Sequence, residues 1–163
     1  MEELRAVVAP TPLGDLTVVA SSLGVVATFI GGPEEAAASL ERPVRPSPRG
    51  LAGIRREVVA YFAGRLTVFR TPVDLSLAPR GFSRRVLEET LRIPYGELRT
   101  YGDVAEVAGS PRAGRAAGSA LARCPIELFV PCHRVVGAAR DLGGYGGHEE
   151  RKRFLLRLEG WAG

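Results

Sequence analysis

The chain has 163 residues, of which 45% are hydrophobic and 25% charged, and its formal net charge is +4. This composition is typical of a globular protein and excludes a disordered or fibrous chain. No apolar stretch approaches the roughly 20 residues that span a bilayer, and residues 1–5 lack the pattern of a signal peptide. We therefore expect a cytoplasmic protein with no membrane association.

The first half of the chain predicts a small sheet and one helix. Runs rich in β-branched residues at 4–8, 16–20 and 25–30 are separated by turn sequences, which predicts three strands in an antiparallel meander. Residues 31–50 contain four prolines and predict a loop. Apolar residues at helical spacing then predict a helix over 51–62, and a strand or extended segment follows at 67–75.

The second half predicts mostly helices. An apolar stripe over 82–93 predicts the first of them. Thr100 and Asp103 have the spacing of a capping box, which predicts a short helix ending near residue 108. Ser110 and Pro111 then offer an N-cap and a first-turn proline for a helix over 111–123. Two short helices joined by a tight turn are typical of a helix-turn-helix.

These elements predict an α+β fold with two subdomains. We expect an amino-terminal antiparallel sheet subdomain over residues 1–77 and a mostly helical subdomain over residues 78–163. The positive charge is concentrated in the second of these, because residues 1–79 contain eight arginines and eight acidic residues.

The helix predicted over 111–123 favours contact with phosphates. Residues 107–126 contain Arg112, Arg115 and Arg123 and no acidic residue. Most other side chains in this helix are alanine or glycine, so its backbone can approach another surface closely. Tight packing on neighbouring helices is the alternative interpretation, and Arg115 favours DNA because it is a long cation among small residues.

Cys132 is the candidate nucleophile. The apolar run at 126–130 predicts a buried strand that ends just before Cys132, His133 and Arg134. The two cations and a nearby helix end favour a lowered thiol pKa, whereas a small buried hydrophobe is the commoner fate of a free cysteine. Adjacent side chains point in different directions, so a water bridging Cys132 and His133 is expected rather than a direct hydrogen bond.

No metal or cofactor is expected. The chain has two cysteines, Cys124 and Cys132, and two histidines, His133 and His148. Their spacing matches no established zinc pattern.

Residues 131–136, Pro-Cys-His-Arg-Val-Val, resemble the active-site motif of the O6-alkylguanine-DNA alkyltransferases. The similarity extends over nearly the whole chain, at residues 11–14, 61–64, 93–96, Tyr101, Arg115, 143–147 and 158–160. It implies that the amino-terminal subdomain is ribonuclease H-like and is packed on the helical one.

The resemblance also implies a reaction. An alkyl group would pass from O6 of guanine in DNA, with O4 of thymine as a further candidate, to Cys132 in one irreversible turnover. The damaged base would be flipped out of the duplex. His133 would act as the general base through water, Glu159 would orient and charge its imidazole, and Tyr101 would give a proton or hydrogen bond to the departing guanine.

The remaining roles implied by the resemblance concern DNA and the base. Arg115 would fill the space vacated in the base stack. The other expected DNA contacts are Arg112, Gly114, Ala116, Gly118 and Arg123, and the expected pocket residues are Val135, Tyr145, Gly146 and Arg134. The implied partner is double-stranded DNA containing O6-alkylguanine, bound through its minor groove by a monomer of the protein.

The chain departs from the family pattern at three positions. Cys124 stands where Asn is common, Glu127 where some members have Pro, and Gly146 where some have Ser. A thiol is a weak hydrogen-bonding substitute for the amide of Asn.

Three other functions would account for parts of the sequence. The first is a non-enzymatic alkyltransferase-like protein that binds the lesion, but such proteins lack the reactive cysteine. The second is a cysteine hydrolase, for which the adjacent Cys-His pair has poor geometry. The third is a simple helix-turn-helix regulator, which leaves the sheet and the cysteine segment unexplained.

Overall fold

The computed structural model of the chain describes residues 2–142 and 147–162. By its internal contacts the chain divides into two compact units, Met1–Leu77 and Ala78–Gly163. The helices and strands confirm the predicted α+β class.

The first unit is built on a four-stranded sheet. Its strands are β1 (Leu4–Ala9), β2 (Leu16–Ala20), β3 (Val25–Ile30) and β4 (Val44–Pro46), in the order β3-β2-β1-β4. β1, β2 and β3 are antiparallel neighbours, as predicted. Every residue of β2 is buried, so this strand is covered on both faces.

Residues 31–50 do not form the predicted loop. They contain the helix α1 (Pro33–Leu40) and the strand β4, which pairs parallel with β1. Pro33 lies in the first turn, where its missing N–H costs nothing, and the carboxylate of Glu35 accepts the backbone N–H of Gly32 at 2.6 Å. The sheet is therefore mixed, which corrects the purely antiparallel prediction.

The helix α2 (Ala52–Phe62) packs on β1 and buries Ile54, Val58 and Tyr61. Residues 67–75 form no strand. Val73 forms an isolated parallel bridge with Val25 of β3, and a 3-10 turn follows at Leu75–Leu77.

The second unit contains α3 (Phe82–Thr90), α4 (Tyr101–Val107), α5 (Gly114–Ala122) and α6 (Glu149–Leu158). α3 ends three residues before the predicted boundary. The capping box that begins α4 is confirmed: Thr100 Oγ1 accepts the N–H of Asp103, and the Asp103 carboxylate accepts the N–H of Thr100, both at 3.0 Å.

α5 begins three residues later than predicted. Ser110 does not cap it; the carbonyl of Ser110 accepts the N–H of Ala113 at 2.9 Å, which closes a turn over Pro111 and Arg112. Ala113 is the N-cap residue. α4 and α5 pack against each other and form the predicted pair of short helices.

Residues 126–130 do not form the predicted strand. The N–H of Val130 donates to the carbonyl of Ile126 at 3.0 Å, and Leu128 has a φ of 80°. The run is thus a buried turn, and its apolar side chains serve burial in the core rather than a sheet face.

A two-residue parallel ladder positions the cysteine segment. β5 (Arg99–Thr100) pairs with β6 (Val135–Val136), with Arg99 opposite Val135. A 3-10 turn at Cys132–Arg134 precedes β6, and α4 follows β5. The ladder therefore places the beginning of α4 beside the cysteine turn.

Candidate active site

Cys132 begins the 3-10 turn and is almost completely buried, with 1% of its surface exposed. Its backbone N–H donates to the carbonyl of Val130 at 2.7 Å. This bond ties the candidate nucleophile to the buried turn that precedes it.

The carboxylate of Glu159 binds two consecutive residues of the cysteine turn. One oxygen lies 2.7 Å from Nε2 of His133, and the guanidinium of Arg134 donates to both oxygens, at 2.7 and 3.0 Å. Arg134 also donates to the carbonyl of Ile93 at 2.6 Å and lies over the ring of Tyr95. All three charged or ionisable groups are buried, so this network holds the turn firmly.

Arg134 was predicted as a pocket residue, and this stays a prediction. Its guanidinium is bound by Glu159 and the Ile93 carbonyl. This position also removes it as a cation that could stabilise the thiolate.

The network fixes the tautomer of His133. A carboxylate only accepts hydrogen bonds, so Nε2 carries the proton and Nδ1 has a free lone pair. Nδ1 is buried and has no hydrogen-bond partner among the residues that the structure describes. Burial, with the nearby charges of Arg134 and Lys152, lowers the pKa of His133 despite the opposing effect of Glu159. The imidazole is thus neutral near pH 7 and can accept a proton at Nδ1.

The pKa of Cys132 is raised well above its ordinary value. Burial is the main cause, followed by a hydrogen bond with the thiol of Cys124 and the charge of Glu127. The prediction that His133 and Arg134 lower this pKa is therefore wrong, because one is neutral and the other is neutralised by Glu159. At rest the nucleophile is a protonated thiol.

Lys152 is the residue that sequence reasoning missed. Its side chain is fully buried, and its ammonium donates to the Val135 carbonyl at 2.6 Å and to the Tyr101 hydroxyl at 3.2 Å. Burial lowers its pKa to about 8. It is the single lysine among the 22 lysines and arginines of the chain. This rarity was the sequence signal that could have indicated a special role for Lys152.

Tyr101 is the first residue of α4 and is half-buried. Burial raises the pKa of its hydroxyl, and the charges of Asp141 and Cys132 act in the same direction. Because the hydroxyl oxygen accepts from Lys152, its own proton is available to a further acceptor.

Val135 is buried, and its carbonyl is the one that accepts from Lys152. Glu127 forms an ion pair with Arg151 at 3.3 Å. Tyr145 and Gly146, the other predicted pocket residues, lie outside the described residues. Within residues 2–142 and 147–162 no group of three histidine, cysteine or acidic side chains could hold a metal ion.

The predicted DNA-binding residues fall into two sets on and beside α5. Arg112, Arg115, Ala116 and Arg123 are exposed. Gly114 and Gly118 face α4 instead: a Cβ atom added to them would lie 3.8 Å from the Gly102 backbone and from the Tyr101 ring, respectively. These glycines let α5 pack closely on the beginning of α4, as the packing interpretation of the small-residue helix requires. DNA contact by the exposed face stays a prediction.

Two family models match the chain. The model described as 6-O-methylguanine DNA methyltransferase, ribonuclease-like domain, matches residues 4–75, and that described as 6-O-methylguanine DNA methyltransferase, DNA binding domain, matches residues 81–161. The chain belongs to the 6-O-methylguanine DNA methyltransferase family. This membership confirms the resemblance read from residues 131–136.

Relatives of this methyltransferase family match along nearly the whole chain. The methylated-DNA–protein-cysteine methyltransferase of Mycobacterium tuberculosis is 43% identical over 91% of this chain and 88% of its own length. The constitutive enzyme of that name in Bacillus subtilis is 37% identical over 93% of this chain and 92% of its own length. The crystal structure of Mycobacterium tuberculosis OGT in complex with DNA has a TM-score of 0.80 and 39% identity, covering 96% of this chain and 92% of that one.

In the structure of this methyltransferase-family chain, the predicted catalytic residues lie in two groups. His133 and Glu159 are in direct contact. Tyr101 is bonded to Lys152, whose ammonium lies close enough to Cys132 for a charge on the sulfur to affect its pKa.

Among residues 2–142 and 147–162, the structure contains no helix with the length and apolar character that a membrane span needs.

Proposed function

We propose that this chain is a DNA-repair methyltransferase that transfers an alkyl group from O6 of guanine in double-stranded DNA to the sulfur of Cys132. The observation that carries the proposal is the set of groups around this thiol. A neutral histidine with a free nitrogen follows it, and a tyrosine hydroxyl held by a buried ammonium lies nearby. These are a proton acceptor and a proton donor, which an alkyl transfer requires.

Removal of the thiol proton is the first requirement, because the raised pKa of Cys132 keeps the sulfur protonated at rest. Nδ1 of His133 takes this proton through a bridging water, and Glu159 stabilises the imidazolium that forms. Glu159 also fixes Arg134, so its carboxylate holds the turn as well as the base.

The leaving group is the second requirement. The sulfur attacks the alkyl carbon, the bond between that carbon and O6 breaks, and its electron pair passes into the guanine ring. The Tyr101 hydroxyl donates a hydrogen bond or proton to the departing base, and the Lys152 ammonium, bonded to the same hydroxyl, makes it a stronger donor. The thioether product has no simple route back to a thiol, so each molecule reacts once.

The burial of Cys132 supports base flipping, since a stacked base cannot bring its alkyl group to a sulfur that is 1% exposed. We assign DNA binding and alkyl acceptance to residues 78–163. Arg115 on the exposed face of α5 takes the space of the flipped base, while Arg112 and Arg123 contact phosphates and Ala116 lies against the minor groove. The protein acts as a monomer, and the buried Val135 lines the base pocket.

The test is transfer of label from a duplex containing radiolabelled O6-methylguanine to the protein. Trypsin cannot assign the label, because Arg123 and Arg134 leave both cysteines on one peptide. Cleavage after glutamate separates them, with Cys124 in residues 107–127 and Cys132 in residues 128–149. We expect one label per protein molecule, on the fragment 128–149, and none after Cys132→Ser.

The same experiment excludes or supports a non-enzymatic lesion-binding protein. Binding of the duplex with all label left in the DNA would favour that alternative and overturn the proposal. Repeated turnover by one molecule would contradict the irreversible step, and label on residues 107–127 would move the acceptor to Cys124.

A further inference from the structure

The first unit has no net charge, but its charges are separated along the chain. Residues 42–56 contain five of its eight arginines and no acidic residue, whereas the rest of residues 1–77 contains three arginines and all eight acidic residues. The surface of a soluble domain ordinarily has both signs interspersed. Here a net charge of +5 is concentrated in one segment of 15 residues, which includes β4 and the beginning of α2.

The fold adds Arg5 to this segment. Arg5 in β1 pairs with Arg45 in β4, and paired residues of neighbouring strands point to the same face of a sheet. One guanidinium nitrogen of Arg5 lies 3.0 Å from where a Cβ atom on Gly50 would be, and one of Arg56 lies 3.7 Å from a Cβ added to Gly53. Guanidinium groups from β1 and α2 therefore meet at the turn between β4 and α2.

Most of these cations have no anionic partner. Four of them form no ion pair among the residues that the structure describes: Arg5, Arg49, Arg55 and Arg56. Arg45 pairs with Glu3 at 3.6 Å, but both side chains are mostly exposed, so this pair is weak. The next acidic residue along the chain, Glu57, accepts the backbone N–H groups of Arg70 and Thr71. An anion from outside the chain would therefore relieve the repulsion among these arginines.

We propose that these five side chains, the arginine surface (Arg5, Arg45, Arg49, Arg55 and Arg56), bind the phosphate backbone of DNA. This contact is additional to those assigned to residues 78–163. Guanidinium groups keep their charge and match phosphate oxygens with paired N–H donors. The proposal rests on the proposed function in one respect, since it takes DNA as the partner of the chain.

The rest of the chain favours DNA over other acidic partners. Residues 81–161 match the model of a DNA-binding domain, and both units belong to one chain. When the second unit is bound, phosphates are present at a high effective concentration for the first, so contacts that are weak singly add to the affinity. Phosphate contacts carry no sequence information. The arginine surface should therefore strengthen binding to undamaged and damaged DNA alike, and so assist the search for lesions.

The test measures how the affinity of the full-length protein for an undamaged duplex depends on salt. Each phosphate contact contributes about 0.9 to the slope of log K against log salt concentration. Combining Arg49→Gln with Arg55→Gln should reduce the slope by about 0.9–1.8 and the affinity at ~0.1 M salt by roughly 10- to 60-fold. An unchanged slope would overturn the proposal.

Two controls locate the effect. Arg65→Gln removes an exposed arginine that follows α2, outside the arginine surface, and should leave the slope unchanged. The same decrease per charge removed in this control would mean that net charge governs binding, and would overturn the proposal. Arg49→Lys combined with Arg55→Lys keeps both charges and should keep most of the slope. A slope as low as in the glutamine variant would indicate a structural effect and would also overturn it.

The undamaged duplex also separates this proposal from the proposed function. It offers no alkyl group, so its salt slopes report binding without the acceptor reaction. A protein whose slopes change as expected, but which never accepts label from O6-methylguanine, would support the arginine surface and refute the proposed function.

Discussion

The ammonium of Lys152 donates to the hydroxyl of Tyr101 at 3.2 Å, and it lies 5.4 Å above the centre of the same ring. A fully buried lysine requires partners, and here they are this phenol and the Val135 carbonyl. The pair thereby places a charged donor behind the hydroxyl that we assign to the departing base.

Tyr101→Phe should slow alkyl transfer by roughly 10²-fold, the low end of what a positioned proton donor contributes. Single-turnover kinetics with saturating duplex measure it. The matched control is Tyr95→Phe, which removes a hydroxyl that donates to the Leu158 carbonyl at 3.2 Å. We expect the control to cost about 1 kcal/mol of stability and little rate. Equal slowing by both changes would show that Tyr101 has a structural role only.

Lys152→Met should change how stability depends on pH. Burial lowers the Lys152 pKa to about 8 from its ordinary 10.5, so between these values the unfolded chain keeps a proton that the folded chain has released. Raising the pH through this window therefore stabilises the folded wild type relative to the variant. Below pH 8 both states hold the proton and the difference is constant. Urea unfolding of both proteins across this range measures the effect, and parallel pH profiles would contradict it.

Glu159→Gln should destabilise the protein by about 3–5 kcal/mol, because it leaves the buried guanidinium of Arg134 without its anion. Glu149→Gln is the matched control. It removes an exposed ion pair with Arg153 and should cost less than about 1 kcal/mol. Denaturant unfolding measures both changes, and similar losses would mean that the buried network does not hold the cysteine turn.

Arg115→Ala should impair repair of a lesion in duplex DNA more than the reaction of Cys132 with a free O6-alkylated guanine base. Only the duplex reaction needs the vacated stack to be filled. Arg123→Ala removes another exposed arginine near α5 and should weaken duplex binding without this selective effect. Comparing the two substrates in both variants separates the roles. A uniform loss in Arg115→Ala would leave it as one phosphate contact among several.

Local signals predicted the fold well where the structure depends on nearby residues. The capping box of Thr100 and Asp103 is an example, since both partners lie within one turn of α4. The prediction of a loop over residues 31–50 is wrong because β4 is defined by its pairing with β1, some 40 residues earlier in the chain. The prediction of a strand at 126–130 is wrong for a related reason. Burial alone does not distinguish a strand from a buried turn.

The motif predicted which residues form the candidate site, whereas most of the contacts between them could not be predicted from the sequence. The motif indicated Cys132 and His133, and the resemblance added Glu159, whose contact with His133 spans 26 residues. The sequence did not indicate that Arg134 binds Glu159 and the Ile93 carbonyl, because these contacts depend on packing that no local pattern encodes. Lys152 lies between two arginines in the sequence, as a surface cation would, and only the fold shows that it points inward.

Because Lys152 is buried, the one lysine of the chain lies in the interior and differs from the arginines in how its charge responds to pH. All other basic side chains except the two histidines are arginines, a residue type that keeps its charge in proteins. Attraction to a polyanion should therefore be nearly constant through mildly alkaline solution, while the interior ammonium titrates. An amine-acylating reagent would likewise reach the Lys152 side chain only when the core opens, so the rate of its modification would report how often that opening occurs.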